Sequence, residues 1–305
     1  MNRRTHIVLV LLTFAATLPL FASRASSIKR SKSDRDINAI GHRDIVLAQD
    51  RKFIGSPAME QKRGAAWAAV VERSSKVIDD PGLKGYLAEL AQHLARNSDA
   101  QMPVTVILID SDEVQACTSP GGYQYLTRGL LLQLDSEGEL AAVLAHGIAH
   151  TALHTPTIKG IKQGLMQVAV PSPAKASTFT WFTCTTPPHR IWEAISQVYE
   201  FDADYFGVQY LYKAGYDPDC YVRFVERMWP ASPRSGDAGS AISYFPAPSE
   251  RLKALRSEFA DILPQKREAT LSTSAFEQFK ERLHTWQTQH PEPHRPFLRR
   301  TDADQ

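Results

Sequence analysis

His146 and His150 stand four residues apart in the stretch Leu140-Ala-Ala-Val-Leu-Ala-His146-Gly147-Ile-Ala-His150, a spacing that lets two imidazoles share one metal ion. An α-helix rises about 1.5 Å per residue, so positions four apart lie one turn apart on the same face. In the H-E-x-x-H arrangement the glutamate beside the first histidine works on metal-bound water. Here Gly147 holds that place. Glycine neither takes nor delivers a proton, so the stretch offers metal-ligand chemistry without its general base. His154 continues the series, but about 12 Å along the axis from His146, and is expected at the rim.

Two histidines on an apolar helix can also be packing residues. A second pair shifts the balance. Glu200 and Asp204 again lie one helical turn apart, in the run Val198-Tyr-Glu-Phe-Asp-Ala-Asp-Tyr-Phe206. Unpaired carboxylates among so many apolar and aromatic neighbours would be costly to bury. A metal and a ligand histidine would satisfy both: Glu200 as the third ligand of a His₂Glu site, and Asp204 holding an imidazole N–H.

The elements that must position these residues can be read from periodicity. Trp67, Val70, Val71, Ser74, Val77 and Ile78 recur at helical spacing, and Asp79-Asp80-Pro81 closes that helix and opens the next, striped by Leu83, Tyr86, Leu87, Leu90 and Leu94. Val104 to Asp110 is β-branched and reads as a strand; Pro120-Gly121-Gly122 is a turn, and Tyr123 to Leu126 reads as a second strand. If that second strand lies at an edge, it can pair with an extended peptide. Ser136 and Glu139 match a capping box at the start of the histidine helix. Residues 171–189, rich in Pro, Ser and Thr, read as an irregular loop. A helix from Arg190 ends at Gly215, a second starts at Asp217-Pro218, and others are expected over 249–262 and 274–286. The fold class is α+β, mainly helical with a small β-sheet.

With 305 residues, 43% of them apolar, the chain can bury a sizeable core, and its net charge of +2 gives no support to a nucleic-acid partner. No G-x-G-x-x-G loop suggests a small-molecule cofactor. Met1-Asn-Arg-Arg, an apolar run from Ile7 to Ala22, and then Ser23-Arg-Ala-Ser26 describe a secretory signal. The expectation is a periplasmic or secreted protein, with an uncleaved N-terminal membrane anchor as the alternative. Cys117, Cys184 and Cys220 permit at most one internal disulfide.

Taken together, these pieces resemble metallopeptidase family 48, the gluzincin zinc endopeptidases that include the heat-shock and CAAX prenyl proteases and periplasmic relatives. The likeness runs from Ile109-Asp-Ser-Asp-Glu-Val-Gln-Ala116 and Pro120-Gly-Gly-Tyr-Gln-Tyr-Leu-Thr-Arg-Gly129 through Glu139–His146 to Glu200-Phe-Asp-Ala-Asp204 and Ala214-Gly-Tyr-Asp-Pro218. The resemblance implies a zincin-like metallopeptidase domain over 56–262, after a signal peptide (1–25) and a flexible arm (26–55), and before a C-terminal helix and disordered tail (263–305). It implies one Zn²⁺ per chain held by His146, His150 and Glu200, with Asp204 behind them. Two positions depart from the pattern. Gly147 replaces the general-base glutamate, and in Tyr244-Phe245-Pro246 the aromatic Phe245 takes the place of a second active-site histidine. The expectation is a zinc-binding pseudoprotease acting on unfolded or envelope proteins or peptides. The alternative is an active zinc endopeptidase whose base comes from elsewhere, with Glu193 and Asp202 as candidates. Oligomeric state is not legible.

Overall fold

A computed structural model describes residues 31–169, 190–228, 251–257, 263 and 268–291. The signal segment, Cys184, Phe245 and the loop expected over 171–189 lie outside these residues.

The first long helix, α1 (Pro57–Ser74), starts where Ser56 accepts a hydrogen bond from the Met59 amide and Pro57 supplies a preset φ. It ends earlier than the apolar spacing suggested. Ser75 turns to extended backbone, and Val77 forms an antiparallel bridge to Ile109 while the Ile78 amide donates to the Leu108 carbonyl at 2.8 Å. Val77 and Ile78 therefore cover a strand instead of extending a helix, which β-branched residues do at little cost. Helix α2 (Pro81–Arg96) is capped by the Asp80 carboxylate on the Leu83 amide and buries Leu83, Leu87, Leu90 and Leu94, the expected stripe.

The sheet has three strands, in the order β1 (Thr105–Ile109), β3 (Tyr123–Thr127), β2 (Ala116–Ser119). β3 runs parallel to β1, with Thr105 opposite Tyr123, and antiparallel to β2, with Ala116 opposite Leu126. The expectation that Tyr123–Leu126 is an edge available to a peptide is thus corrected: it is the central strand, hydrogen-bonded on both sides. Four short, largely polar residues form β2, and only their pairing with β3 makes them a strand.

After a short helix, α3 (Arg128–Gln133), comes the histidine helix α4 (Glu137–Ala152). Its cap differs in detail from the expected box. Ser136 accepts from the Glu139 amide at 3.2 Å, but the Glu139 carboxylate reaches the Asp135 amide at 2.8 Å, one residue beyond the cap. α4 is buried on almost every side, as a helix with apolar residues all round must be. It packs against α2, against α6 (Arg190–Lys213) and α7 (Asp219–Met228), and against β2. α4 ends before His154, whose φ of 53° turns the chain into α5 (Thr155–Ala169). Gly215, with φ 100°, closes α6 as expected. Residues 251–257 are helical, and the last helix, α8 (Ser274–Gln289), packs on α2 and α3. No described helix is long and apolar enough to cross a membrane.

Where a flexible arm was expected, residues 31–55 are packed onto the domain. Ile40 and Ile45 are buried in the main core. The Arg43 side chain is fully buried, donates to Asp99 through Nε (3.0 Å) and Nη2 (2.5 Å), and reaches Gln209 Oε1 at 2.7 Å. Polar composition pointed to solvent, but these polar groups pair across the fold, which lets them be buried.

Candidate metal centre

The site lies where α4 crosses α6. Gly207 makes that crossing close: a Cβ there would fall 3.0 Å from the His146 Cα. Backbone contact at this point brings the acidic turn of α6 within reach of the histidine turn of α4. The structure gathers the three residues expected to share an ion. His146 Nε2 and His150 Nε2 are 3.1 Å apart, and Glu200 Oε2 is 3.2 Å from the first and 3.4 Å from the second. A tetrahedral ion with bonds of about 2.05 Å requires its ligand atoms about 3.3 Å apart. The triangle has that size.

The donor chemistry fits as well. Glu200 Oε2 is buried and makes no hydrogen bond among the described residues, an expensive state for a carboxylate oxygen. Two ring nitrogens facing each other at 3.1 Å can share at most one proton between them, whereas a cation satisfies both nitrogens and the oxygen at once. When bound, such a metal acts as a Lewis acid and lowers the pKa of coordinated water.

Asp204 stands behind the triangle, as expected. Its Oδ1 lies 3.0 Å from His146 Nδ1, which directs Nε2 toward the other donors. Asp204 is in turn held by two residues that the sequence reading assigned no role. Arg251 donates to it through Nε (2.7 Å) and Nη2 (2.5 Å), and the Tyr221 hydroxyl bonds Oδ1 while standing 2.9 Å from His146 Nδ1. A third unforeseen residue, Lys159 of α5, places its buried Nζ 3.6 Å from Glu200 Oε1, so the two carboxylate oxygens have different duties. Lys159 follows a chain reversal at His154, and no spacing rule reaches it.

These contacts set the proton affinities. Burial opposes the Glu200 carboxylate, but the nearby rings of His150 and His146 and the Lys159 ammonium outweigh it and hold the group well below the usual range. Burial likewise opposes Asp204, yet Arg251 and His146 bring it down to about 2. For His146, burial disfavours the charged ring, and the facing carboxylates of Asp204 and Glu200 more than compensate, so its pKa is raised. Burial dominates at His150 and Lys159, lowering both.

His154 is outside the donor group: its Nδ1 pairs with Glu60 Oε2 at 2.9 Å. Asp202, proposed as a substitute base, sits about 200° around α6 from Glu200 and does not join the clustered donors. The Glu193 side chain and Phe245 lie outside the described residues. At Gly147 the space beside the backbone is taken by a side chain: a Cβ would fall 2.7 Å from Gln124 Cδ.

An H-x-x-x-H helix joined by a carboxylate from a second helix, with His150 and Glu200 buried and His146 partly so, is the donor arrangement of a zincin-type metallopeptidase fold. The chain belongs to peptidase family M48, whose profile matches residues 81–259. It is 27% identical over 223 residues to the beta-barrel assembly-enhancing protease of Escherichia coli (strain K12), covering 68% of this chain and 45% of that protein. The putative beta-barrel assembly-enhancing protease of Vibrio cholerae is 27% identical over 220 residues, 67% of this chain and 44% of that protein. The mitochondrial metalloendopeptidase OMA1 of Arabidopsis thaliana is 26% identical over 192 residues, 60% of this chain and 37% of that protein. The chain therefore spans less than half the length of these relatives.

Proposed function

We propose that this chain is a zinc-binding pseudoprotease of the cell envelope, which engages unfolded or envelope proteins or peptides without cleaving them. One observation carries the reading. Three donors stand at tetrahedral-edge distances, while the neighbouring position that would hold the general base is Gly147. The donor set suits zinc, one ion per chain, with His146, His150 and Glu200 as ligands and Asp204 orienting His146. Peptide hydrolysis also needs a proton passed from the attacking water to the leaving amine, and loss of a positioned acid–base group typically lowers rate by about 10²–10⁴. No described carboxylate beyond Glu200 joins the donor group.

Three features support the compartment. The N-terminus has the pattern of a secretory signal. Cys117 is disulfide-bonded, which suits an oxidising environment, while Cys220 is free and buried. The bacterial relatives are named for assembly of β-barrels, which supports envelope proteins as the class engaged.

The test uses the purified mature chain. Elemental analysis is expected to give about one zinc per chain, with binding of an unfolded reporter protein and no chelator-sensitive cleavage of it. Cleavage that is chelator-sensitive and abolished by His146→Ala would establish the active-endopeptidase alternative. Absence of zinc after gentle purification would refute both.

A further inference from the structure

Gly147 is not glycine for its backbone. Its φ is not among the positive values of this chain, and a glycine inside a helix weakens it relative to alanine. Space is the remaining reason, and Gln124 takes that space. Gln124 projects from the central strand β3 and is 2% exposed; its Nε2 donates to the Leu144 carbonyl at 3.3 Å, three residues before Gly147. A Cβ on Gly147 would lie 2.7 Å from Gln124 Cδ and 2.8 Å from both Nε2 and Oε1. All three atoms of the carboxamide are almost equidistant from that point, so its flat face lies against the glycine Cα. Any side chain at 147 would begin inside the amide. The amide ends a flexible side chain, but Gln124 is buried, so moving it away from a Cβ at 147 strains its hydrogen bond to the Leu144 carbonyl.

We propose that Gln124 and Gly147 form a matched pair, in which the carboxamide occupies the seat of the side chain at 147 and fixes the turn of α4 that carries His146. Gln124 is thus a positioning residue for the metal helix. The inference rests on the pseudoprotease reading above and deepens it: the base is absent and its place is filled by a neutral group that cannot accept a proton at neutral pH. Restoring a glutamate at 147 is then not a single-residue change.

The experiment measures two quantities on the full mature chain: the Tm of the metal-free protein, and zinc affinity by competition with a chromogenic chelator. Gly147→Ala in the otherwise natural chain is expected to lower Tm by about 3–10 °C, the range for overpacking in a protein of this size, although alanine is the better helix former. In a Gln124→Ala background the same substitution is expected to raise Tm. Gln124→Met, which keeps the volume and removes the hydrogen bond, is expected to leave Gly147→Ala destabilising while weakening zinc binding by about tenfold, as lost outer-shell support does. Gly147→Glu is expected to damage zinc affinity alone, and Gln124→Ala/Gly147→Glu to recover most of it. Additive effects in either background, a neutral Gly147→Ala in the natural chain, or unchanged zinc affinity in Gln124→Met would each overturn the proposal. None of these readouts requires cleavage. Proteolysis by the natural chain would sink the functional reading and leave the pair standing.

Discussion

Asp204→Asn removes one charge from a buried network and leaves its shape nearly intact. The carboxylate accepts two hydrogen bonds from Arg251 and one from Tyr221, and faces His146 Nδ1. Two estimates bracket the cost. The Asp204 carboxyl is held at about 2 against an ordinary 3.8; a difference of 3.8 − 2, at 1.36 kcal/mol per unit, is about 2 kcal/mol of stability at neutral pH. Arg251 is 3% exposed and loses its counter-ion, and breaking a buried pair from one side typically costs about 3–5 kcal/mol. Together these predict a fall in Tm of about 4–15 °C for the metal-free chain. The sign of the pH dependence follows from the direction of the shift. Since the folded value lies below the unfolded one, the stabilisation is complete above 3.8 and drains away as pH falls toward about 2. Thermal melts of the natural and variant chains, repeated between neutral pH and about pH 3, should show a gap that narrows at the acid end. A gap below about 1 °C at neutral pH, or one of constant size throughout, would refute the reasoning.

Three further outcomes are expected. His146→Ala and Glu200→Gln should each reduce zinc from about one ion per chain to a small fraction, read by elemental analysis after dialysis, because each removes one of three donors. Zinc-induced stabilisation should shrink as pH falls from about 7 to 5: the proton favoured on His146 by Asp204 and Glu200 competes with the metal above the ordinary histidine range, and calorimetric melts with and without zinc would show it. Arg43→Met should destabilise by about 3–5 kcal/mol in chemical denaturation, since Asp99 would be left buried beside Tyr210 without its cation; a neutral result would mean that the 31–55 segment contributes little to stability.

The site was legible where its logic is helical. His146 and His150, and Glu200 and Asp204, are pairs one turn apart, and local period places each pair on one face without knowledge of the rest. Long-range partners were not legible. Arg43 meets Asp99 and Gln209 from far along the chain, and in sequence it is one more charge in a polar stretch. Lys159 reaches Glu200 only because the chain reverses at His154, a non-glycine residue with φ of 53°. β2 was invisible because Ala-Cys-Thr-Ser has neither length nor alternation; its identity as a strand comes from β3. The same omission misplaced β3 at an edge, because a sheet with one strand missing has its centre in the wrong place. Residues 77 and 78 failed for a related reason: apolar residues continue at helical spacing past Ser74, but the unpaired edge of β1 claims them as extended backbone.

Metal binding and catalysis can separate in this chain because they rest on different faces of α4. His146 and His150 point toward α6, where Gly207 permits the close crossing and Asp204, Arg251 and Tyr221 fix the ring of His146. Residue 147 lies about 100° around the same helix and faces β3, where Gln124 waits. A change on the β3 side can therefore delete the proton-transfer group and repack its space while leaving the donors undisturbed. The reverse does not hold: altering the α6 side would strand Arg251 or bring two imidazoles together without a carboxylate, each at several kcal/mol. Without an ion, the donor triangle is itself unfavourable, with a buried Glu200 oxygen that has no hydrogen bond among the described residues. Such an arrangement is stabilised most simply by a cation, so the α6 side of α4 favours a metal independently of what stands at position 147.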